Sequence, residues 1–429
     1  MSPTVLLDGY NLALRQGTGI KTYGLLMEAA LQAIGCRTEV LFGKPIPKSG
    51  DELLREVTFF DSSRPGETRL GRAFQKLGVI GSALMGGSPS VQPSRQTGAV
   101  VLPAGEQLRS RIWNASNLFE VANQRHLRTG AFLEARMPGP VDAFHMTYPV
   151  PVTVNGAKRL IVTIHDLIPL RLPYTTLDNK VELLRRHRRV SAQADLIFTV
   201  SEASRRDIVE LLGVNPDKVV ITRQPSRFAP LSAPERREQG RILGRFGLGA
   251  GSYVLFVGAI EPKKNLGRLL RAYLEADLDA PLVIAGPRAW MADEEIGWFA
   301  SQDPRIARKV RLLGHVSVSD LRFLYSGASA LTFPSLYEGY GLPLIEAMTF
   351  GLPILTAKTS SMPEVCGDAA LYCDPFDVRD IRDKLIRLMT DQDARTWLSQ
   401  RALERSREIT METFTEEVRA GYAKLGLVN

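Results

Sequence analysis

Residues 334–347 read Pro-Ser-Leu-Tyr-Glu-Gly-Tyr-Gly-Leu-Pro-Leu-Ile-Glu-Ala and hold the densest chemistry in the chain. They follow an apolar, strand-like run at 330–334, pass through Gly339, Tyr340 and Gly341, and open a helical pattern at Leu342 that runs to about residue 350. Glycines let backbone N–H groups approach an anion, and a helix N-terminus adds partial positive charge for a phosphate. The C-terminal end of a strand in an open parallel sheet is also where such folds bind ligands. Glu338 stands at the mouth of this turn, and Glu346 lies eight residues on, about two turns inside the helix. A carboxylate accepts hydrogen bonds from vicinal hydroxyls, so both acids suit a sugar; a solvated loop acid and a salt-bridged helix residue are the plainer alternatives.

Three other places carry reactive groups. Lys263 and Lys264 end a loop that leaves the apolar run 253–257 through Gly258 and enters a helical pattern. An ammonium there suits a phosphate, although a Lys-Lys pair more commonly snorkels at the surface. His165 and Asp166 follow the run 159–164. A lone histidine at a strand end is more often structural, and Asp166 either orients it or caps the next segment. With no third ligand at recognisable spacing, the pair is a poor metal site. Gly17-Thr18-Gly19 precedes a helical pattern at 21–33, so its amides face a phosphate or an acceptor, or simply make a tight turn. Thr22 occupies the third glycine position of a dinucleotide fingerprint, and no glycine directly precedes Lys21, so neither that motif nor a P-loop is complete.

These groups need a scaffold, and the hydrophobic pattern supplies one. In the first half, strand-like runs fall at 4–8, 37–42, 143–146, 159–164, 196–200 and 218–222, with helices at 21–33 and 202–212, the latter capped by Ser201. Residues 43–140 are irregular, and the Gly/Ser/Pro/Gln-rich stretch 86–98 reads as a surface loop. A polar segment at 225–251 reads as a linker. Beyond it, runs at 253–257, 281–285, 310–313, 330–334 and 352–357 alternate with helical patterns, as in a parallel sheet covered on both faces. The expected fold is α/β, with two Rossmann-like doubly wound domains facing a central cleft. The boundaries read as 1–228 for the N-terminal domain and 229–405 for the C-terminal one. A long final helix, about 394–425, is expected to pack back on the first domain through residues 406–429.

Glu338-x7-Glu346 in its Glu-Gly-Tyr-Gly-Leu-Pro context resembles the signature of glycosyltransferase family 4, retaining enzymes of the GT-B fold. Phe256-Val257-Gly258-Ala259-Ile260-Glu261-Pro262-Lys263-Lys264-Asn265 resembles that family's donor-phosphate loop. His165-Asp166-Leu167-Ile168-Pro169 and the early glycine turn complete the set in family order. The resemblance implies a nucleotide-sugar donor bound mainly by the C-terminal domain. Glu346 would bind the ribose hydroxyls, Glu338 the C3/C4 region of the sugar, and His165 its C6 hydroxyl from the opposite domain. Lys264 and the helix-end amides of Gly339, Tyr340, Gly341 and Leu342 would meet the departing diphosphate. No metal or other cofactor is implied. Many members carry an arginine directly after the loop glycine; Ala259 stands there here, which leaves Lys263, or Arg288 after Gly286-Pro287, to supply the second cation.

Composition narrows the partners. The chain has 429 residues, 54 basic and 46 acidic side chains and a net charge of +8, which favours anionic ligands. There are no basic tails, zinc-finger spacings or RNA signatures, so nucleic acid is not expected. Three cysteines (Cys36, Cys366, Cys373) suit a reducing compartment and core packing, and the first strand-like run at Thr4 leaves no room for a leader, so a cytoplasmic protein is expected. The run Arg185-Arg186-His187-Arg188-Arg189 reads equally as a solvated helix face or as a contact to the anionic inner face of a membrane. The resemblance favours GDP-mannose or a related GDP-sugar as donor and a glycan or lipid-linked glycan as acceptor, in surface polysaccharide synthesis. A UDP-sugar transferase, a non-catalytic nucleotide-sugar-binding module and an epimerase of the same fold are the competing expectations. The oligomeric state is not legible.

Overall fold

The computed structural model describes residues 2–13, 19–46, 51–60, 79–83, 91–94, 100, 110–297 and 309–429. Short β-branched and aliphatic runs, buried along their whole length, pair into two sheets, as expected where helices cover both faces. The first sheet has eight strands in the order Val219–Ile221, Leu196–Thr199, Arg159–Thr163, Ala143–Met146, Thr4–Asp8, Arg37–Phe42, Arg111–Asn114 and Gln92–Pro93. All pair in parallel except the two-residue edge strand, which is antiparallel. The second sheet has six parallel strands in the order Val310–Gly314, Leu282–Ala285, Val254–Val257, Ala330–Phe333, Ile354–Ala357 and Ala370–Cys373. Leu133–Ala135 and Val152–Val154 form a separate parallel pair.

Both orders reverse direction at one place, and a crevice opens there at the carboxyl ends of the strands. In the first sheet that place lies between Thr4–Asp8 and Ala143–Met146, and in the second between Val254–Val257 and Ala330–Phe333. The loops that leave the second pair carry Lys264 and Glu338.

Three readings need correction. The terminal helix is two helices, Gln392–Ser406 and Met411–Lys424, because Thr410 accepts from the Thr413 amide and starts a new N-terminus. The second of them lies against Gly19–Ala33: the Tyr422 hydroxyl is 2.8 Å from His145 Nδ1, and Phe414 meets Tyr23 edge to face. The expected linker contains the helix Ala233–Gly244, started by the reciprocal Ser232–Glu235 capping box with proline in the first turn. In the irregular region, the strand Arg111–Asn114 extends the first sheet, and Gln92–Pro93 falls within the expected surface loop, most of which lies outside the described residues. All three cysteines are buried and unpaired.

Candidate active site between the two sheets

The donor-side loop begins with a close backbone approach. A Cβ on Gly286 would lie 1.9 Å from the Gly258 carbonyl oxygen, so the loops after Val254–Val257 and Leu282–Ala285 touch only because position 286 lacks a side chain. The chain then makes the 3₁₀ turn Pro262–Lys264, and Asn265, at φ 61°, anchors it by donating to the Pro334 and Pro375 carbonyls at 3.0 and 2.7 Å. The turn points Lys264 inward. Its Nζ donates to Glu338 Oε1 at 2.6 Å and lies 4.7 Å from the Phe333 ring centre. Lys264 is 9% exposed and Glu338 6%. Burial pushes the Glu338 carboxyl up, but Lys264 and Lys263 together outweigh burial and hold it below the usual carboxylate range.

Lys263 faces the same acids, with Nζ 3.5 Å from Glu261 Oε1. Burial pushes its ammonium down, and the charges of Glu338, Glu261 and Asp166 override that, so it is held protonated. Burial also pushes Glu261 up, and its Oε2 has no hydrogen-bond partner. Sequence reasoning had no signal for Glu261 as part of this charge cluster. Arg288 is not part of it: its backbone bridges to Ile260, while its side chain is exposed and reaches Asp293 at 3.4 Å. Of the two cations proposed to replace the missing arginine, the structure brings Lys263 to the site and leaves Arg288 at its rim.

The second loop, Pro334 to Gly341, is pinned by backbone contacts. The Glu338 amide donates to Ser360 Oγ at 2.9 Å, and Ser361 Oγ donates to the Glu338 and Tyr340 carbonyls at 3.0 and 2.9 Å. Gly341 adopts φ 99°, a left-handed conformation suited to glycine, and starts the helix Leu342–Thr349 without any side-chain cap. Pro343 has no amide hydrogen and the Leu344 amide donates to the Gly341 carbonyl at 2.9 Å, so the Leu342 amide is the one of these first three positions left for a ligand. Glu346 is the fifth residue of this helix, so it sits a little over one turn in rather than two. It is buried, accepts from the Tyr325 hydroxyl at 2.8 Å, and has Arg227 Nε 2.7 Å from Oε1. That ion pair is misaligned for a hydrogen bond, so Oε1 keeps acceptor capacity. Burial pushes the carboxyl up, opposed by Arg227 and Tyr325. Arg227 lies in the polar segment read as a linker, where nothing in the sequence marked it.

From the first sheet, His165 and Asp166 meet this loop directly. A Cβ on Gly339 would lie 2.8 Å from both Asp166 Cβ and the His165 carbonyl oxygen, so the two half-sites interlock through a glycine. Ser201 Oγ donates to the Gly339 carbonyl at 2.6 Å, and Ser204 Oγ lies 3.1 Å from that oxygen and 2.9 Å from the His165 carbonyl. Ser201 thus serves the facing domain as well as capping its own helix, Glu202–Leu212. The Glu364 carboxylate crosses in the other direction and accepts from the Glu202 amide at 2.8 Å. Asp166 caps its own segment through the Ile168 amide at 3.0 Å. His165 Nε2 lies 3.0 Å from the Thr147 carbonyl, and burial pushes the imidazole down. At the start of the helix Gly19–Ala33, a Cβ on Gly19 would come 3.1 Å from Leu342 Cδ1, which places Gly19 beside the start of the helix Leu342–Thr349. Gly17 and Thr18 lie outside the described residues. Among the described residues no group of three or more His, Cys, Asp or Glu side chains is arranged to hold a metal ion.

Two doubly wound domains facing one another, with paired cations and an uncapped helix N-terminus on one side and a histidine on the other, have the architecture of the GT-B fold. The model for "Glycosyltransferase Family 4" matches residues 19–223, and that for "Glycosyl transferases group 1" matches residues 249–405. The O-antigen chain mannosyltransferase B of Escherichia coli is 32% identical over 275 residues, 62% of this chain and 71% of that protein. The serotype-specific mannosyltransferase WbdA of Escherichia coli is 28% identical over 295 residues; the match takes in 67% of this chain and 36% of that longer protein. Sucrose-phosphate synthase from Thermosynechococcus elongatus superposes with a TM-score of 0.67 at 15% identity, covering 99% of each chain. The chain belongs to glycosyltransferase family 4 and is a hexosyltransferase.

Proposed function

We propose that the protein transfers mannose from GDP-mannose, with retention of configuration, to a growing glycan or lipid-linked glycan in surface polysaccharide synthesis. The observation that carries the reading is the buried Lys264–Glu338 pair beside Lys263, at the switch point of one sheet, on a loop whose Gly339 packs against His165–Asp166 of the other. The mannosyltransferase relatives support mannose as the sugar. In this reading Glu346 Oε1 takes a ribose hydroxyl, while Lys264, Lys263 and the amides from Gly339 to Leu342 hold the diphosphate. Glu338, fixed by Lys264, accepts from hydroxyls of the hexose, and His165 contacts the same sugar from the other side.

The chemistry is a substitution at the anomeric carbon. The bond from that carbon to the β-phosphate oxygen breaks, its electron pair staying on the phosphate. The acceptor hydroxyl attacks from the same face through an oxocarbenium-like state, and its proton passes to the leaving phosphate oxygen. Lys264 suits such a path because it meets charge that grows as the bond breaks. Glu338 is a poor nucleophile, being tied to Lys264, and Asp166 is occupied with its cap. Activity is expected to be independent of added metal.

The segment 174–185 supports docking on an anionic membrane face, because Tyr174, Leu177, Val181 and Arg185 are exposed there. Its neighbours Arg186, Arg188 and Arg189 are instead engaged with Glu182, the Leu211 carbonyl and the Gly130 carbonyl. No described helix is long and apolar enough to cross a membrane. The function is tested by incubating the protein with radiolabelled GDP-mannose and a mannose-primed acceptor in EDTA. Labelled product with an α-linkage supports it. Turnover of UDP-glucose alone would reassign the donor, and loss of activity restored only by manganese would overturn the metal-free path.

A further inference from the structure

Asp8 is the last residue of the central strand Thr4–Asp8 and is completely buried. Its Oδ2 accepts from both the amide and, at 2.8 Å, the hydroxyl of Thr147, while Oδ1 accepts from the Tyr10 amide at 3.1 Å. Thr147 follows the neighbouring strand Ala143–Met146, and its carbonyl is the group 3.0 Å from His165 Nε2. A carbonyl only accepts, so Nε2 carries the proton and Nδ1 of the neutral ring is left as an acceptor. Tyr23 closes the other side of the imidazole, ring centres 4.8 Å apart and planes at 87°. Burial pushes the Asp8 carboxyl up to about 6, against hydrogen bonds from Thr147, Tyr10 and Tyr148 that favour its charged form. An ionised side chain with that burial penalty is a costly way to join two strand ends, and a neutral residue would do it more cheaply.

We propose that Asp8 is a positioning residue for His165: by gripping the amide and hydroxyl of Thr147 it fixes the carbonyl that sets the tautomer and orientation of the imidazole. The proposal rests on the reading of His165 as a contact to the transferred sugar. It makes three strand ends of the first sheet one unit, in which Asp8 never meets the substrate. Asn at position 8 keeps the size but replaces one acceptor oxygen with a donor, so either the Thr147 pair or the Tyr10 amide loses its partner. Misplacement of a contacting group by about 1 Å costs on the order of 100-fold in rate.

The test is a double-mutant cycle on the full chain, with donor affinity measured by calorimetry and folding by circular dichroism. D8N should lower kcat by roughly 10- to 100-fold while donor Kd changes less than about threefold. In a His165→Ala background the same substitution should cost less than about twofold, because the group it positions is gone. In wild type, ¹⁵N NMR of the ring should show a protonated Nε2, and D8N should broaden or move that signal. If D8N fails to fold, Thr147→Val removes one of the two grips and should show the same non-additivity with His165→Ala at smaller amplitude. Normal kcat in D8N, or equal losses with and without His165, would overturn the proposal. Near-normal turnover by His165→Ala alone would instead remove the reading of His165 on which it rests.

Discussion

Replacing Lys264 by methionine keeps most of the side-chain volume and deletes the charge. Lys264 and Glu338 are 2.6 Å apart and both nearly inaccessible to water, so the substitution strands a buried carboxylate. Breaking a buried pair by removing one partner costs about 3–5 kcal/mol. Here Lys263 still favours the charged form of Glu338, which puts the expected loss at the lower end, about 3 kcal/mol. For a domain of this size that is a fall in Tm of roughly 5–10 °C, readable by calorimetry or circular dichroism. The decisive comparison is Lys264→Met with Glu338→Gln in the same chain. A neutral amide needs no counter-ion, so the double variant should recover part of the lost stability. If Lys264→Met melts within about 1 °C of wild type, or Glu338→Gln only adds its own loss, the pair does not work as described.

Other consequences are equally direct. Gly339→Ala places a methyl 2.8 Å from Asp166 and the His165 carbonyl, so the domains must separate slightly; overpacking of about 1–3 kcal/mol predicts a drop in kcat of at least fivefold with donor binding largely kept, and an unchanged kcat would show that the interlock is not needed for turnover. Glu346→Ala should weaken binding of the free nucleotide by about 10- to 100-fold through the loss of charge-assisted hydrogen bonds, and equal affinity in calorimetry would count against the ribose assignment. His145 is fully buried with its imidazole pushed down to about 3, so below pH 6.5 the unfolded chain takes up a proton that the folded chain refuses. Stability should therefore fall between pH 6.5 and 3, by about 2 kcal/mol at pH 5, and His187, pushed down to about 4 by burial, acts in the same direction. The fall in Tm from pH 7 to pH 5 should shrink in His145→Gln, and an identical fall would assign the titration elsewhere.

The alternation of apolar runs with helical patterns made both sheets legible, because a strand buried on two faces leaves a continuous hydrophobic signal. Ala370–Cys373 and Arg111–Asn114 lacked that contrast: the first, at a sheet edge, is only partly buried at Leu371 and Tyr372, and the second begins with an exposed arginine. At the site, Lys264, Glu338, Glu346 and His165 were singled out as candidates by the family resemblance of their motifs. Their partners were not. Arg227, Tyr325 and Asp8 act from distant positions in the chain, and only the folded arrangement brings Tyr325 within 2.8 Å of Glu346 or Asp8 against Thr147. A role for the Ser201 loop at the cleft between the domains was open in the sequence but not required by it, because as an N-cap the residue was already fully explained.

In the proposed reaction Lys264 stabilises the charge that develops on the departing donor diphosphate, within a site to which both domains contribute. Single-turnover transfer from GDP-mannose by wild type and Lys264→Ala, with donor affinity measured in parallel and EDTA present, tests it most directly. Removal of a preorganised electrostatic contact of this kind costs on the order of 10²–10³ in rate. Transfer by Lys264→Ala should fall by roughly that factor, with donor affinity changed far less. Near-normal transfer by Lys264→Ala, or a loss confined to donor binding, would contradict it.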